Sequence, residues 1–235
     1  MHPTGYSQLI TQISALLLAA LITIALSGCV NPAEDTPVSA PPPPAMDRSI
    51  KTFAWNCLIT GYVVTDFRNT ENAVWLFTQG KTQLLPRERS ASGSKYTNGD
   101  YSFFSKGNEA ILETPEGEDH CLKNQQASLL EDAKLRGVDF RGMGNEPGWI
   151  IEISGNQLYF ETNYGTESYE FLLGGHASGS KPNSVVYKGE ALGKSISVEI
   201  SSGRCNDTMS DNVYESFVTV NFEDTTLNGC GQALH

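Results

Sequence analysis

Two side chains fourteen residues apart, Ser92 and Lys106, carry the pairing most open to chemistry in this chain. A hydroxyl both donates and accepts a hydrogen bond, whereas an ammonium only donates and brings a full charge. The same two residue types also make a nucleophile and its base, but a Ser-Lys hydrolase needs a lysine buried until its pKa falls, and an oxyanion hole. Lys106 stands before Gly107 at an expected strand end, which fits an exposed ammonium better. Each residue has a plainer role as well, Ser92 as a turn former and Lys106 as a solvated strand end. Lys95 is a candidate rim charge, and Tyr96 a ring that contacts a partner or packs under the turn. Arg141, Glu146 and Asp207 either line a pocket or form a structural ion pair. His120 and His176 are single histidines expected in loops. No GxSxG, phosphate loop, HExxH or acidic calcium loop occurs, and no CxxC or HxxxH spacing, so neither a cofactor nor a metal is expected.

One stretch must position the pair: Ser90 to Gly107, SASGSKYTNGDYSFFSKG. Asn98-Gly99 is a strong hairpin signal because both residues tolerate positive φ. The expectation is a stiff hairpin loop from which both groups project. The stretch also resembles the membrane-bound (or periplasmic) inhibitors of c-type lysozyme. The resemblance lies in Ser90-Ala91-Ser92-Gly93-x-x-Tyr96, followed by Phe104-x-Lys106-Gly107-x-x-Ala110-x-Leu112, both between Cys57 and Cys121. It covers roughly residues 53 to 122.

That resemblance implies a small antiparallel β-barrel closed by the cysteine pair, with no catalysis of its own. It implies that Ser92 and Lys106 enter the lysozyme cleft and neutralise its two carboxyl groups, protecting peptidoglycan. Lys95 and Tyr96 follow as secondary contacts. Phe104 stands where the family often has Trp, keeping an apolar anchor without the indole donor.

The rest of the chain reads as two β-rich halves. Between 50 and 123, aromatic and β-branched runs alternate with Gly, Asn and Pro turns, as in a barrel or sandwich. Gln125 to Arg136 is the one helical stretch, with Ser128-x-x-Glu131 as its capping box and Gly137 as its stop. From Val138 onward the β pattern resumes, with turns expected at Gly155, Gly165, Gly174-Gly175, Gly189 and Gly203. Arg141-Gly142-x-Gly144-x-Glu146-Pro147-Gly148-Trp149, Cys205-x-Asp207-x-Met209-Ser210 and Gly229-Cys230-Gly231 resemble an uncharacterised bacterial envelope lipoprotein domain. The expected class is all-β: two small antiparallel barrel or sandwich domains joined by a short helix, at 50–123, 124–137 and 138–235.

Residues 1–28 read as a lipoprotein signal peptide. Ile13 to Leu26 carries no charge and runs into Leu26-Ser27-Gly28-Cys29, which resembles a lipobox. The implication is lipid on Cys29 and an outer-membrane anchor facing the periplasm; an uncleaved signal anchor is the rival. Residues 29–49 then form a tether, stiffened by Pro41 to Pro44. With Cys29 set aside, four cysteines allow three pairings. The layout favours Cys57 with Cys121 and Cys205 with Cys230, each closing one β-rich segment.

The net charge of −11 concentrates in residues 131–235, which hold seven basic and fifteen acidic side chains. Such a balance disfavours nucleic acid; it suits a cationic protein partner, as c-type lysozymes generally are, or, for this second half, serves solubility alone. The expected function is lysozyme inhibition. The alternative is an envelope ligand-binding or structural lipoprotein whose main role lies in 138–235. Monomer and homodimer both remain open.

Overall fold

The computed structural model describes residues 48–67, 72–207, 210 and 212–235. The signal peptide, Cys29 and nearly all of the tether lie outside the described residues, as does Met209 of the cysteine-loop motif. The first eight strands are β1 (Thr52–Cys57), β2 (Gly61–Asp66), β3 (Ala73–Thr78), β4 (Lys81–Glu88), β5 (Ser94–Thr97), β6 (Ser102–Lys106), β7 (Glu109–Thr114) and β8 (Gly117–Asn124). Each pairs antiparallel with its sequence neighbours, and β8 returns to β1, so the sheet closes into a barrel. Closure leaves no strand edge open to another chain.

Barrel 1 is filled rather than hollow. Trp55, Val63, Val74, Leu76, Leu85, Phe103 and Leu112 are fully or almost fully buried. Trp55 meets Phe103 edge to face at 5.3 Å. The Cys57–Cys121 disulfide joins the directly paired residues of β1 and β8, at the seam that closes the barrel.

A helix, α1 (Gln125–Leu135), continues directly from β8. Its cap is Asn124, whose side chain accepts from the Ala127 N–H at 3.0 Å, and not Ser128 as expected. Ser128 lies one turn inside, where its Oγ accepts the Ala54 N–H at 2.9 Å and donates to the Asn124 carbonyl at 2.6 Å. Asp132, one turn further on, accepts the Lys51 and Thr52 N–H groups at 3.0 and 3.1 Å. Because β8 has already turned into a helix, the start of β1 has a strand partner on its β2 side alone. Two side chains at i,i+4 spacing take over its N–H groups. Gly137, at φ +81°, stops the helix where the sequence placed its end.

The second barrel runs β9 (Phe140–Asn145), β10 (Gly148–Ser154), β11 (Gln157–Thr162), β12 (Glu167–Ser178), β13 (Ser184–Ala191), β14 (Lys194–Asn206), β15 (Val213–Phe222) and β16 (Thr225–Ala233), with β9 closing against β16. Trp149, Ile151, Phe160, Val198, Val218 and Val220 lie in its core. Cys205 and Cys230 are disulfide-bonded across β15. Three of the expected turns lie inside strands. Gly174-Gly175 and Gly203 fall at register shifts, so they are bulges, and Gly189 lies mid-β13 against Phe171. Long strands on a curved wall need such kinks.

Both barrels and the helix belong to one compact unit, Met46–His235. An ionic cluster holds it together. The Glu152 carboxylate, on the outer face of β10, receives Arg136 through two bonds of 2.7 Å, Arg48 at 2.7 Å, and Arg141. Arg136 also donates to Asp132 at 3.0 Å, which links the cluster to the backbone of β1. Arg48 lies over the Tyr159 ring. Burial alone would push the Glu152 carboxyl up, but the Arg136 hydrogen bonds and the charges of Arg141, Arg136 and Arg48 hold it below the usual range.

Candidate functional site

The Asn98-Gly99 signal does form a turn. Asn98 accepts the Asp100 and Tyr101 N–H groups through its side chain at 3.2 and 2.9 Å, fixing the connection between β5 and β6. Ser92 and Lys106, however, sit at the other end of that hairpin. The ladder ends with Ser94 opposite Ser105, and both groups lie just beyond it. Ser92 lies in the connection 89–93 between β4 and β5, and Lys106 is the last residue of β6, just before the Gly107-Asn108 turn into β7. The expected single projecting loop is replaced by a rim built from one loop and one strand end. The reason is the pairing itself: an antiparallel fold brings the start of β5 beside the end of β6.

Gly93 makes this close approach possible. Its φ is +69°, and a β-carbon there would lie 2.6 Å from the Ser105 carbonyl oxygen and 2.9 Å from the Phe104 ring. Phe104 therefore lies against the backbone next to Ser92. The turn's internal hydrogen bond comes from Ser90, whose Oγ donates to the Gly93 carbonyl at 3.1 Å. Ser92 is exposed, and its hydroxyl makes no hydrogen bond to a described residue. The plain turn-former role thus falls to Ser90.

Lys106 is exposed and makes no ion pair among the described residues. Lys95 is committed: its ammonium reaches Glu88 at 2.8 Å, its partner across β4 and β5. That hydrogen bond, with the carboxylate's charge, pushes the Lys95 pKa up. Tyr96 faces inward, 7% exposed, with its ring 5.4 Å from Phe67. It supports the rim from beneath and offers little surface to a partner.

The remaining candidates separate. Arg141 turns to Glu152, while Glu146 and Asp207 line an open cleft of about 330 Å³ beside Cys205–Cys230. Asp207 accepts from Asn145 at 2.5 Å and from Ser210. His120 and His176 lie on β8 and β12 rather than in loops. Among the described residues no three of His, Cys, Asp and Glu are placed to hold a metal ion. Reading the sequence missed Glu152. One carboxylate in an otherwise apolar run, Trp149-Ile150-Ile151-Glu152-Ile153, was the available signal.

A closed barrel presenting an uncommitted hydroxyl and ammonium on one rim, both exposed, is equipped to contact a partner; it lacks the buried lysine a Ser-Lys nucleophile requires. Residues 55–120 match the family described as membrane-bound lysozyme-inhibitor of c-type lysozyme. A curated relative from Yersinia enterocolitica (serotype O:8 / biotype 1B), named membrane-bound lysozyme inhibitor of C-type lysozyme, is 46% identical over 48 residues, which are 20% of this chain and 41% of that protein. The chain therefore spans less than half the length of the relative it matches. The family match covers most of barrel 1 and no residue of barrel 2. No solved structure matches the chain.

Proposed function

We propose that the protein inhibits c-type lysozyme, with barrel 1 as the inhibitory domain, α1 as the linker and barrel 2 as a second domain. One observation carries the reading: Ser92 and Lys106 emerge at the same end of the β5–β6 hairpin, exposed and uncommitted, inside the segment that matches the family. A lysozyme cleft holds one protonated carboxyl and one carboxylate. The Ser92 hydroxyl suits the first and the Lys106 ammonium the second. Filling the cleft in this way needs only a rigid rim, which closure of the barrel and the disulfide at its seam favour.

The same reading places the protein in the bacterial envelope, carried by lipid on Cys29 through the proline-rich tether to the outer membrane. There it would meet lysozyme before the enzyme reaches peptidoglycan. The test is a turbidity assay of bacterial wall lysis by a hen-type lysozyme with increasing amounts of the purified protein. Lysis that slows as the protein approaches stoichiometric amounts supports the proposal. Undiminished lysis ends it.

A further inference from the structure

The outer wall of barrel 1 holds an apolar groove that the Ser92–Lys106 rim does not explain. Across β6, β7 and β8 the ladder aligns Phe104 with Ile111 and His120, and Lys106 with Glu109 and Leu122. Leu58 joins this wall through its N–H, which donates to the His120 carbonyl at 3.1 Å. The groove is open, with a volume of about 480 Å³. Leu58 and Leu122 are 85% and 63% exposed. Contiguous apolar side chains on the solvent face of a barrel mark a contact surface.

The groove is also held in shape. Asp119, buried at the end of the barrel, accepts the Leu58, Ile59 and Thr60 N–H groups at 3.0, 2.9 and 2.6 Å. That carboxylate fixes the β1–β2 turn with Leu58 and Ile59 pointing to solvent. A surface ordered before binding loses less entropy on association.

Resting on the inhibitor reading above, we infer that this groove is the second part of the lysozyme-contact surface and receives an apolar lip of the enzyme beside its cleft. Continuity is the first argument. Lys106 lines the groove, and Phe104 both lines it and packs on Gly93 beside Ser92, so a cleft that engulfs the rim brings its edge over this wall. Area is the second. Two side chains cover far less than the roughly 800 Å² per partner of a stable interface. Charge is the third: Glu109, paired in register with Lys106, offers a carboxylate to a basic partner at the groove's border.

Calorimetric titration of a hen-type lysozyme with the full-length protein, its Leu122→Asp and Leu58→Asp variants, and Ser92→Ala/Lys106→Ala tests the inference. Both leucines are exposed, so their replacement spares the core, and thermal melting checks this. Each leucine variant is expected to weaken binding about tenfold or more at unchanged Tm. Absence of binding by the unmutated protein overturns the inhibitor reading and the groove together. Binding that both leucine variants leave within about twofold overturns the groove alone. A self-associated dimer that Leu122→Asp dissolves while lysozyme binding persists gives the groove to a second copy and overturns it too.

Discussion

The two barrels share a topology and differ in how they use their polar side chains. In barrel 2 the Glu152 carboxylate is surrounded by Arg136, Arg141 and Arg48, and Asp207 is held by Asn145 and Ser210. These groups hold the structure together. In barrel 1 the rim side chains Ser92 and Lys106 bond to nothing described, while the neighbouring Ser90 and Lys95 are committed to Gly93 and Glu88. The contrast separates two meanings of a charged residue: one that completes the protein's own fold and one left available for another protein.

The sharpest way to break the comparison is the pair of substitutions Ser92→Ala with Lys106→Ala. Losing a charge-assisted contact in a closed interface should weaken inhibition about a hundredfold or more, read by the turbidity assay, with Tm unchanged. Glu152→Gln should do the reverse. It leaves three buried or half-buried guanidinium groups without their shared carboxylate and should cost about 3–5 kcal/mol in urea unfolding. Lysozyme titration of the remaining folded protein should stay within about twofold. If Glu152→Gln weakened inhibition as strongly as the rim variant, the division between the barrels would fail.

Acid sharpens the same contrast. Glu152 and Asp119 both have folded-state pKa values held below their ordinary ones, Asp119 because three backbone N–H groups and the Thr60 hydroxyl outweigh its burial. Groups depressed on folding contribute stability that is fully present above their unfolded values, about 4.3 and 3.9, and is lost as pH falls through the folded values. Stability measured by denaturant unfolding should therefore decline below about pH 4, and Glu152→Gln should flatten that decline. A smaller effect is expected for Ser128→Ala, which leaves the buried Ala54 N–H without an acceptor and should cost about 1–3 kcal/mol in urea unfolding. Lys95→Met should be smallest, changing lysozyme affinity by about two- to threefold because its ammonium is already paired with Glu88.

Much of the fold was legible in the sequence because most strands alternate apolar and polar residues over a few positions. The runs at Phe53, Tyr62, Ala73, Trp149, Leu158 and Phe217 all became strands. Three strands escaped the reading, for two physical reasons. β8, GEDHCLKN, is rich in charge, and its inward positions hold Asp119 and Cys121, so no apolar alternation announced it. β9 and β16 are glycine-rich and were not among the expected strands. Two of their glycines make room for Trp149: a β-carbon at Gly144 or Gly229 would overlap its indole. A side chain absent to make room for another leaves no local signal.

The sequence by itself determined which residue types stand at the rim and the turn that folds β5 onto β6, since these depend on residue type and on neighbours close along the chain. Only the tertiary structure decided that Ser92 and Lys106 lie at the same open end of their hairpin, that Lys95 answers Glu88, and that Glu152 gathers arginines from the chain before β1, from just past α1 and from β9. Those outcomes depend on which strands lie side by side when a sheet closes on itself, and barrel closure joins residues whose separation along the chain carries no trace of the contact.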